Sequence, residues 1–169
     1  PDPALRLVTR AAITQRLLTE RFRGRGDDSL ASAALRRSEG PIALATDEAN
    51  DQHYAVAPEF FETVLGPRLK YSCCLYESAA TTLAQAEEAM LELTIARAAV
   101  EDGMSILDLG CGWGSVTLWI AENFPNVEIT SVSNSAAQRG LIERRAAERG
   151  LADRINVLTV DVNELRLQQ

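Results

Sequence analysis

Histidine is nearly missing from this sequence: His53 is the only one among 169 residues. Cysteine is scarce as well, with Cys73, Cys74 and Cys111. An odd number of thiols, two of them adjacent, is a poor disulfide framework, so a reducing, cytoplasmic location is expected. With one histidine to join them and no pair at ligand spacing, no metal site is expected; the thiols read as reduced residues in or near a core. No apolar run approaches the roughly 20 residues that span a bilayer. The chain begins at Pro1 with no charged-then-apolar leader, so no signal peptide is expected. Positive charge is in deficit, 17 Lys and Arg against 24 Asp and Glu, for a net charge of −7. Little is then available to offset phosphate charge, which argues against nucleic acid or anionic membrane as partner. Internal repeats and low-complexity tracts are absent too, which leaves an ordinary globular chain, 46% hydrophobic and 24% charged.

What is there divides into two parts. Residues 1–57 are expected as a helical N-terminal segment. Leu5, Val8, Ala12, Leu17 and Leu18 mark an amphipathic helix. Arg23 to Asp28 reads as a turn, 29–37 as a second short helix, and 42–58 as irregular. Pro58 opens a helix with Phe60, Phe61, Val64 and Leu65, stopped by Gly66-Pro67. Thr82 and Gln85 spell a capping box for a longer helix, with Leu83, Ala86, Met90, Leu93, Ala96 and Val100 on its apolar face. Strand, helix, strand, helix and strand then follow at 105–109, 116–123, 127–132, 135–149 and 155–160. The second of those helices is read as opening on a further capping box, Ser135 with Gln138. That alternation predicts an α/β fold with a parallel sheet and helical crossovers.

The most informative stretch is Ile106-Leu107-Asp108-Leu109-Gly110-Cys111-Gly112-Trp113-Gly114-Ser115, at the first strand-to-helix turn. Doubly wound sheets bind nucleotide-like ligands at such turns. Gly110 permits the sharp turn, Gly112 lets a ligand lie on bare backbone, and Gly114 lets a helix approach closely. The spacing G-x-G-x-G is not the dinucleotide G-x-G-x-x-G. The second strand runs out into Ser133-Asn134, not an acid for the ribose. Both features count against a nicotinamide oxidoreductase.

The run Leu-Asp-x-Gly-Cys-Gly-x-Gly resembles motif I of class I S-adenosylmethionine (SAM)-dependent methyltransferases. The order Gln52-His53-Tyr54, Glu59-Phe60-Phe61, Tyr71-Ser72-Cys73, the glycine loop, then Ser133-Asn134-Ser135 with Gln138 resembles the cyclopropane-fatty-acyl-phospholipid synthase superfamily. That superfamily includes relatives resembling coclaurine and tetrahydroprotoberberine N-methyltransferases. The resemblance implies a Rossmann-like class I methyltransferase sheet, of which this chain holds the N-terminal half with strands in order 3-2-1. Residues 58–169 would be the N-terminal portion of the SAM-binding domain, and 1–57 a substrate-side lid. It implies that Tyr71 and Ser72 cover the cofactor. Gly110, Gly112 and Gly114 would form its floor, Cys111 in the same loop would also bind the cofactor, and Asp108 would support the loop and the cofactor's amino-acid end. Ser133, Asn134 and Gln138 would replace the ribose acid, and Asp161 would face adenine. Each also has a plain structural alternative: a half-buried tyrosine, a capping partner, a solvated loop acid. His53 and Cys73 are the candidates on the catalytic side, Cys73 as a wall residue and not a nucleophile.

Ala55-Val56-Ala57-Pro58-Glu59 departs from the cyclopropane-synthase run and is similar to the N-methyltransferase branch, as are Val64 to Lys70 and Trp113-Gly114-Ser115. Methyl transfer from SAM to an amine or other small nucleophile is therefore expected, yielding S-adenosylhomocysteine. Cyclopropanation of lipid alkenes is the alternative, and cofactor binding without turnover a second one. The family's next strand, with its substrate-side acidic and histidine residues, is absent. Strand 105–109 would then be a bare edge. A fragment, disorder elsewhere, or a homodimer or second chain completing the sheet would each explain it.

Overall fold

The computed structural model describes residues 3–22, 41–43 and 56–166. The expected turn at 23–28, the short helix at 29–37 and the Gln52-His53-Tyr54 motif lie outside the described residues. The chain divides into two compact units, 1–41 and 42–169.

The first unit contains helix α1, Pro3–Phe22, where the amphipathic pattern placed one. Its Leu7, Val8, Ile13 and Leu18 are exposed. This helix is too polar to cross a membrane, and no other among the described residues is long and apolar enough to do so.

The second unit runs α2 (Pro58–Val64), α3 (Leu83–Ala98), β1 (Ser105–Leu109), α4 (Ser115–Asn123), β2 (Glu128–Ser133), α5 (Ala136–Glu148), a 3-10 turn (Ala152–Arg154) and β3 (Ile155–Thr159). The strands pair in parallel in the order β1-β2-β3, the expected 3-2-1 half-sheet read from the other edge. Leu109 lies opposite Val132, and Ser133 opposite Thr159, so the carboxyl ends of the strands share one rim. β2 is central and nearly fully buried, which is why its run of Ile129, Ser131, Val132 and Ser133 lacks a clean inside-outside alternation.

The main core joins Ile95 of α3, Leu118, Ile120 and Ala121 of α4, Val127 and Ile129 around β2, and Ala146 and Leu151. Burying such side chains contributes roughly 1.5–3 kcal/mol each. A second cluster joins Phe61, Leu69, Trp113 and Leu141. It anchors α2 to α5, helped by Glu62, which accepts from Arg144 at 3.1 Å and Arg145 at 3.4 Å.

Two local expectations need correction. The capping box at Thr82 and Gln85 forms in full, but the buried stripe of α3 is Ala86, Glu87, Leu91 and Ile95. Leu83 and Ala96, placed on the apolar face from the sequence, are exposed. The stripe is rotated because a carboxylate lies at its centre. Glu87 is fully buried and accepts the backbone N–H groups of Arg68 and Lys70, each at 3.0 Å. At the start of α5 the box is only half made. Ser135 accepts from Gln138 N–H, but the Gln138 side chain turns away to Ser133, where the hydroxyl donates to Gln138 Oε1 at 2.5 Å.

Candidate cofactor cleft

Beyond β1 the chain turns back on itself. The N–H groups of Gly110 and Cys111 both donate to the carbonyl of Val132, at 2.9 and 3.0 Å, and fold the loop over the end of β2. Gly110, Gly112 and Gly114 all take positive φ, +75°, +55° and +81°, where a side chain is strained. A Cβ on Gly112 would meet nothing within 4 Å. A Cβ on Gly114 would lie 2.6 Å from Cγ1 of Ile142. Gly114 thus makes room for α5, not for the α4 helix that follows it.

The rim encloses a cleft of about 270 Å³. Its lining comes from β1 and the loop (Leu109, Gly110, Gly112), from β2 and α5 (Val132, Ser133, Asn134, Gln138), from the end of β3 (Val160, Val162), and from Ala43. The structure therefore brings together five of the residues singled out from sequence: Gly110, Gly112, Ser133, Asn134 and Gln138. Asp161 lies between two lining residues, and its carboxylate accepts the N–H of Asn163 at 2.7 Å. The extension continues the ladder, since Val160 N–H donates to Ser133 C=O at 3.0 Å.

Gln138 is the most telling member. It is 2% exposed, its Oε1 is held by Ser133, and its Nε2 finds no partner among the described residues. A buried N–H donor without a partner costs about 1–3 kcal/mol, which a ligand oxygen would relieve. The bare backbone at Gly110 and Gly112 supplies the matching space.

Other expected site residues take supporting positions. Asp108 accepts from the Thr117 hydroxyl at 2.7 Å, and Thr117 in turn lies 2.7 Å from the hydroxyl of buried Ser131. Burial raises the Asp108 carboxyl above its usual range, while the hydroxyl and N–H of Thr117 pull it down. Asp108 thus braces the first turn of α4 from behind the loop. Cys111 packs against Ile142 and Val157, and burial, with Asp108 adding, pushes its thiol up to about 12. Its side chain belongs to the core, and only its backbone serves the loop. Tyr71, Ser72 and Cys73 are exposed and are not among the cleft-lining residues. Tyr71 meets Phe61 edge-on at 5.6 Å, and Ser72 Oγ accepts from Lys70 Nζ at 2.7 Å. Phe61 in turn lies 4.4 Å from the Trp113 ring, so two ring contacts through Phe61 link Tyr71 to the glycine loop.

Sequence reasoning missed Glu87, Ala43, Val160, Val162 and Asn163. Glu87 stands in a Glu-Glu pair and reads as a solvated helix face. Ala43 and Asn163 carry no motif at all.

A parallel half-sheet with a left-handed glycine loop and an unpartnered amide at its carboxyl rim defines a nucleotide-cofactor-binding α/β fold. The chain belongs to the mycolic acid cyclopropane synthetase family, whose model matches residues 44–169. It is 42% identical over 121 residues to an (S)-coclaurine N-methyltransferase of Thalictrum flavum subsp. glaucum, covering 72% of this chain and 33% of that one. A solved coclaurine N-methyltransferase, bound to N-methylheliamine and SAH, superposes with TM-score 0.80 at 32% identity over 96% of this chain and 47% of that one. Mycolic acid cyclopropane synthase CmaA1, complexed with SAH and CTAB, gives TM-score 0.65 at 25% identity over 73% and 42%. The chain spans between a third and about half of these proteins. Its fold is the N-terminal half of the Rossmann-like class I methyltransferase sheet.

Proposed function

We propose that this chain carries the cofactor half of a SAM-dependent methyltransferase acting on an amine or another small-molecule nucleophile. The observation that carries the reading is the cleft itself: bare glycine backbone lines it together with Gln138, whose buried amide donor has no partner among the described residues. Identity to N-methyltransferases supports the choice of acceptor class.

When bound, the cofactor supplies a methyl group on a sulfonium, open to in-line attack by a nucleophile. The protein's part is positioning and exclusion of water. Gln138 Nε2 donates to a ribose oxygen, in place of the acid that dinucleotide sites use. Ser133 and Asn134 line the same end. Gly110 and Gly112 give the cofactor backbone to lie on, Cys111 adds its main chain, and Gly114 holds α5 close. Leu109, Val132, Val160 and Val162 offer an apolar slot for the purine, with Asp161 at its edge. Asp108 keeps the loop in shape. Tyr71 and Ser72 cover the cofactor from the segment after α2, with Cys73 as a wall beside them. His53, outside the described residues, is the candidate proton acceptor for the substrate. The three free thiols go with a reducing, cytoplasmic location.

Cyclopropanation of lipid alkenes is the second reading, favoured by the family model. The run Ala55 to Glu59 weighs against it. Calorimetric titration with S-adenosylhomocysteine tests the cofactor reading. Micromolar binding is expected, with loss of binding on Gly112→Val, which adds a branched side chain at φ +55° and fills the cleft. Absence of binding by the folded wild-type protein overturns it. Methyl transfer to an amine panel, against a panel of unsaturated lipids, separates the two acceptors. Binding with no turnover on either panel makes the chain a cofactor-binding module.

A further inference from the structure

Ala43 is the odd member of the cleft. Every other lining residue belongs to a strand end, a loop or a helix of the β-α-β-α-β unit, whereas Ala43 precedes that unit by some 60 positions. The Asn163 side chain engages both backbone polar groups of Ala43. Asn163 Nδ2 donates to the Ala43 carbonyl at 3.0 Å, and Ala43 N–H donates to Asn163 Oδ1 at 3.1 Å. The amide thus imitates a peptide group and pairs with both polar atoms of residue 43 at once. Asn163 is itself fixed. Its own N–H donates to the Asp161 carboxylate at 2.7 Å, and Glu164 N–H closes the turn onto the Asp161 carbonyl at 2.9 Å. Asn163 is part-buried, as its neighbour Val162 is, and Val162 lines the cleft.

From this relay we infer that Asn163 is a positioning residue for cofactor binding: it latches Ala43 against the end of β3 and so builds the outer wall of the apolar slot. The inference rests on the cofactor reading of the cleft. It assigns a role to a residue that is not itself among the cleft-lining residues. It also gives Asp161 a second task, as the carboxylate that sets the turn presenting the latch. The wall narrows the slot beside Val160 and Val162, where a flat apolar ring gains most from exclusion of water. Only a short side chain with both a donor and an acceptor satisfies the two Ala43 groups. Alanine offers neither, and aspartate keeps the acceptor but sets a carboxylate against a carbonyl.

The test compares wild type, Asn163→Ala and Asn163→Asp for affinity to S-adenosylhomocysteine and to adenosine, and for melting temperature with and without ligand. With two hydrogen bonds lost, Asn163→Ala is expected to weaken both ligands about tenfold. The equal loss for adenosine would place the effect at the purine end. Asn163→Asp is expected to weaken both ligands too, and it is the isosteric variant to read if the alanine protein fails to fold. The ligand-induced rise in melting temperature should shrink in both variants. A residue with a merely structural role would lower the ligand-free melting temperature and leave that rise intact. Undiminished affinity in folded Asn163→Asp overturns the inference while leaving the cofactor reading standing. Failure of the wild type to bind either ligand overturns both.

Discussion

At the scale of single residues, the site works by placing groups whose preferences conflict with their surroundings. Asp108 is a carboxylate held in a dry place by two donors of Thr117. Its folded pKa is raised, so the folded state holds this proton more tightly than the unfolded chain. Its contribution to stability is therefore greatest below the ordinary carboxylate pKa and declines as pH rises through the raised value. Urea unfolding of wild type and Asp108→Asn between about pH 4 and pH 7 is expected to show wild type losing ground to the variant as pH rises. The thiols offer a second check. Cys73 is exposed, Cys74 is part-buried with its pKa raised by burial and by Glu87, and Cys111 is buried. A thiol reagent should modify Cys73 first and Cys74 more slowly. Cys111 should react only on unfolding, and mass spectrometry of partly labelled protein would show the order.

Elements are held by caps and by one buried acid. The Thr82 and Gln85 box satisfies the first turn of α3, with Gln85 N–H donating to Thr82 Oγ1 at 3.3 Å and Thr82 N–H to Gln85 Oε1 at 2.9 Å. Thr82→Ala is expected to cost about 1 kcal/mol. Glu87 does more than hold a helix. Leu69, between its two donors, is buried at φ +52°, a conformation that costs a leucine energy and persists because both flanking N–H groups are tied down. Glu87→Ala would leave those donors unpaired beside the Phe61 and Trp113 cluster, and a loss of about 2–4 kcal/mol is expected. The same change should loosen Tyr71 and Ser72, visible as faster amide exchange across 68–74. An Arg68 hub outside this pocket, paired with Glu88 and Glu122 and lying over Trp119, ties α3 to α4 on a partly exposed surface. Each of its pairs is worth little alone.

On the scale of the molecule, the half-sheet has an open side. Among the described residues β1 pairs with β2 alone, and Leu107 and Leu109 are 40% and 52% exposed. An apolar strand with an unpaired edge among the described residues invites pairing. Concentration-dependent association of this chain is expected in gel filtration, reduced by Leu107→Lys. A monodisperse 18.4 kDa species at all concentrations would show that the edge is not sticky.

Much of this architecture is local and could be read from residue order. The strands, the helices between them and the glycine loop follow from alternation, caps and turn residues, and the structure places their ends within one or two residues of expectation. The loop was legible because positive φ at three alternate positions demands glycine, whatever the rest of the chain does. Gln138 was legible as a candidate, and it lines the cleft, but the direction of its amide was not legible. That depends on Ser133 reaching it across the start of α5. Glu87 and the Asn163 latch were not legible. Their partners are 17 to 19 and 120 residues away, and a polar side chain reads as solvated until the fold closes over it. Periodicity reports which faces are apolar. Which buried polar groups find partners across the chain, and that the Gln138 amide is left without one among the described residues, only the tertiary structure decided, because satisfying a buried polar group is a matter of distance in space and not of position in sequence.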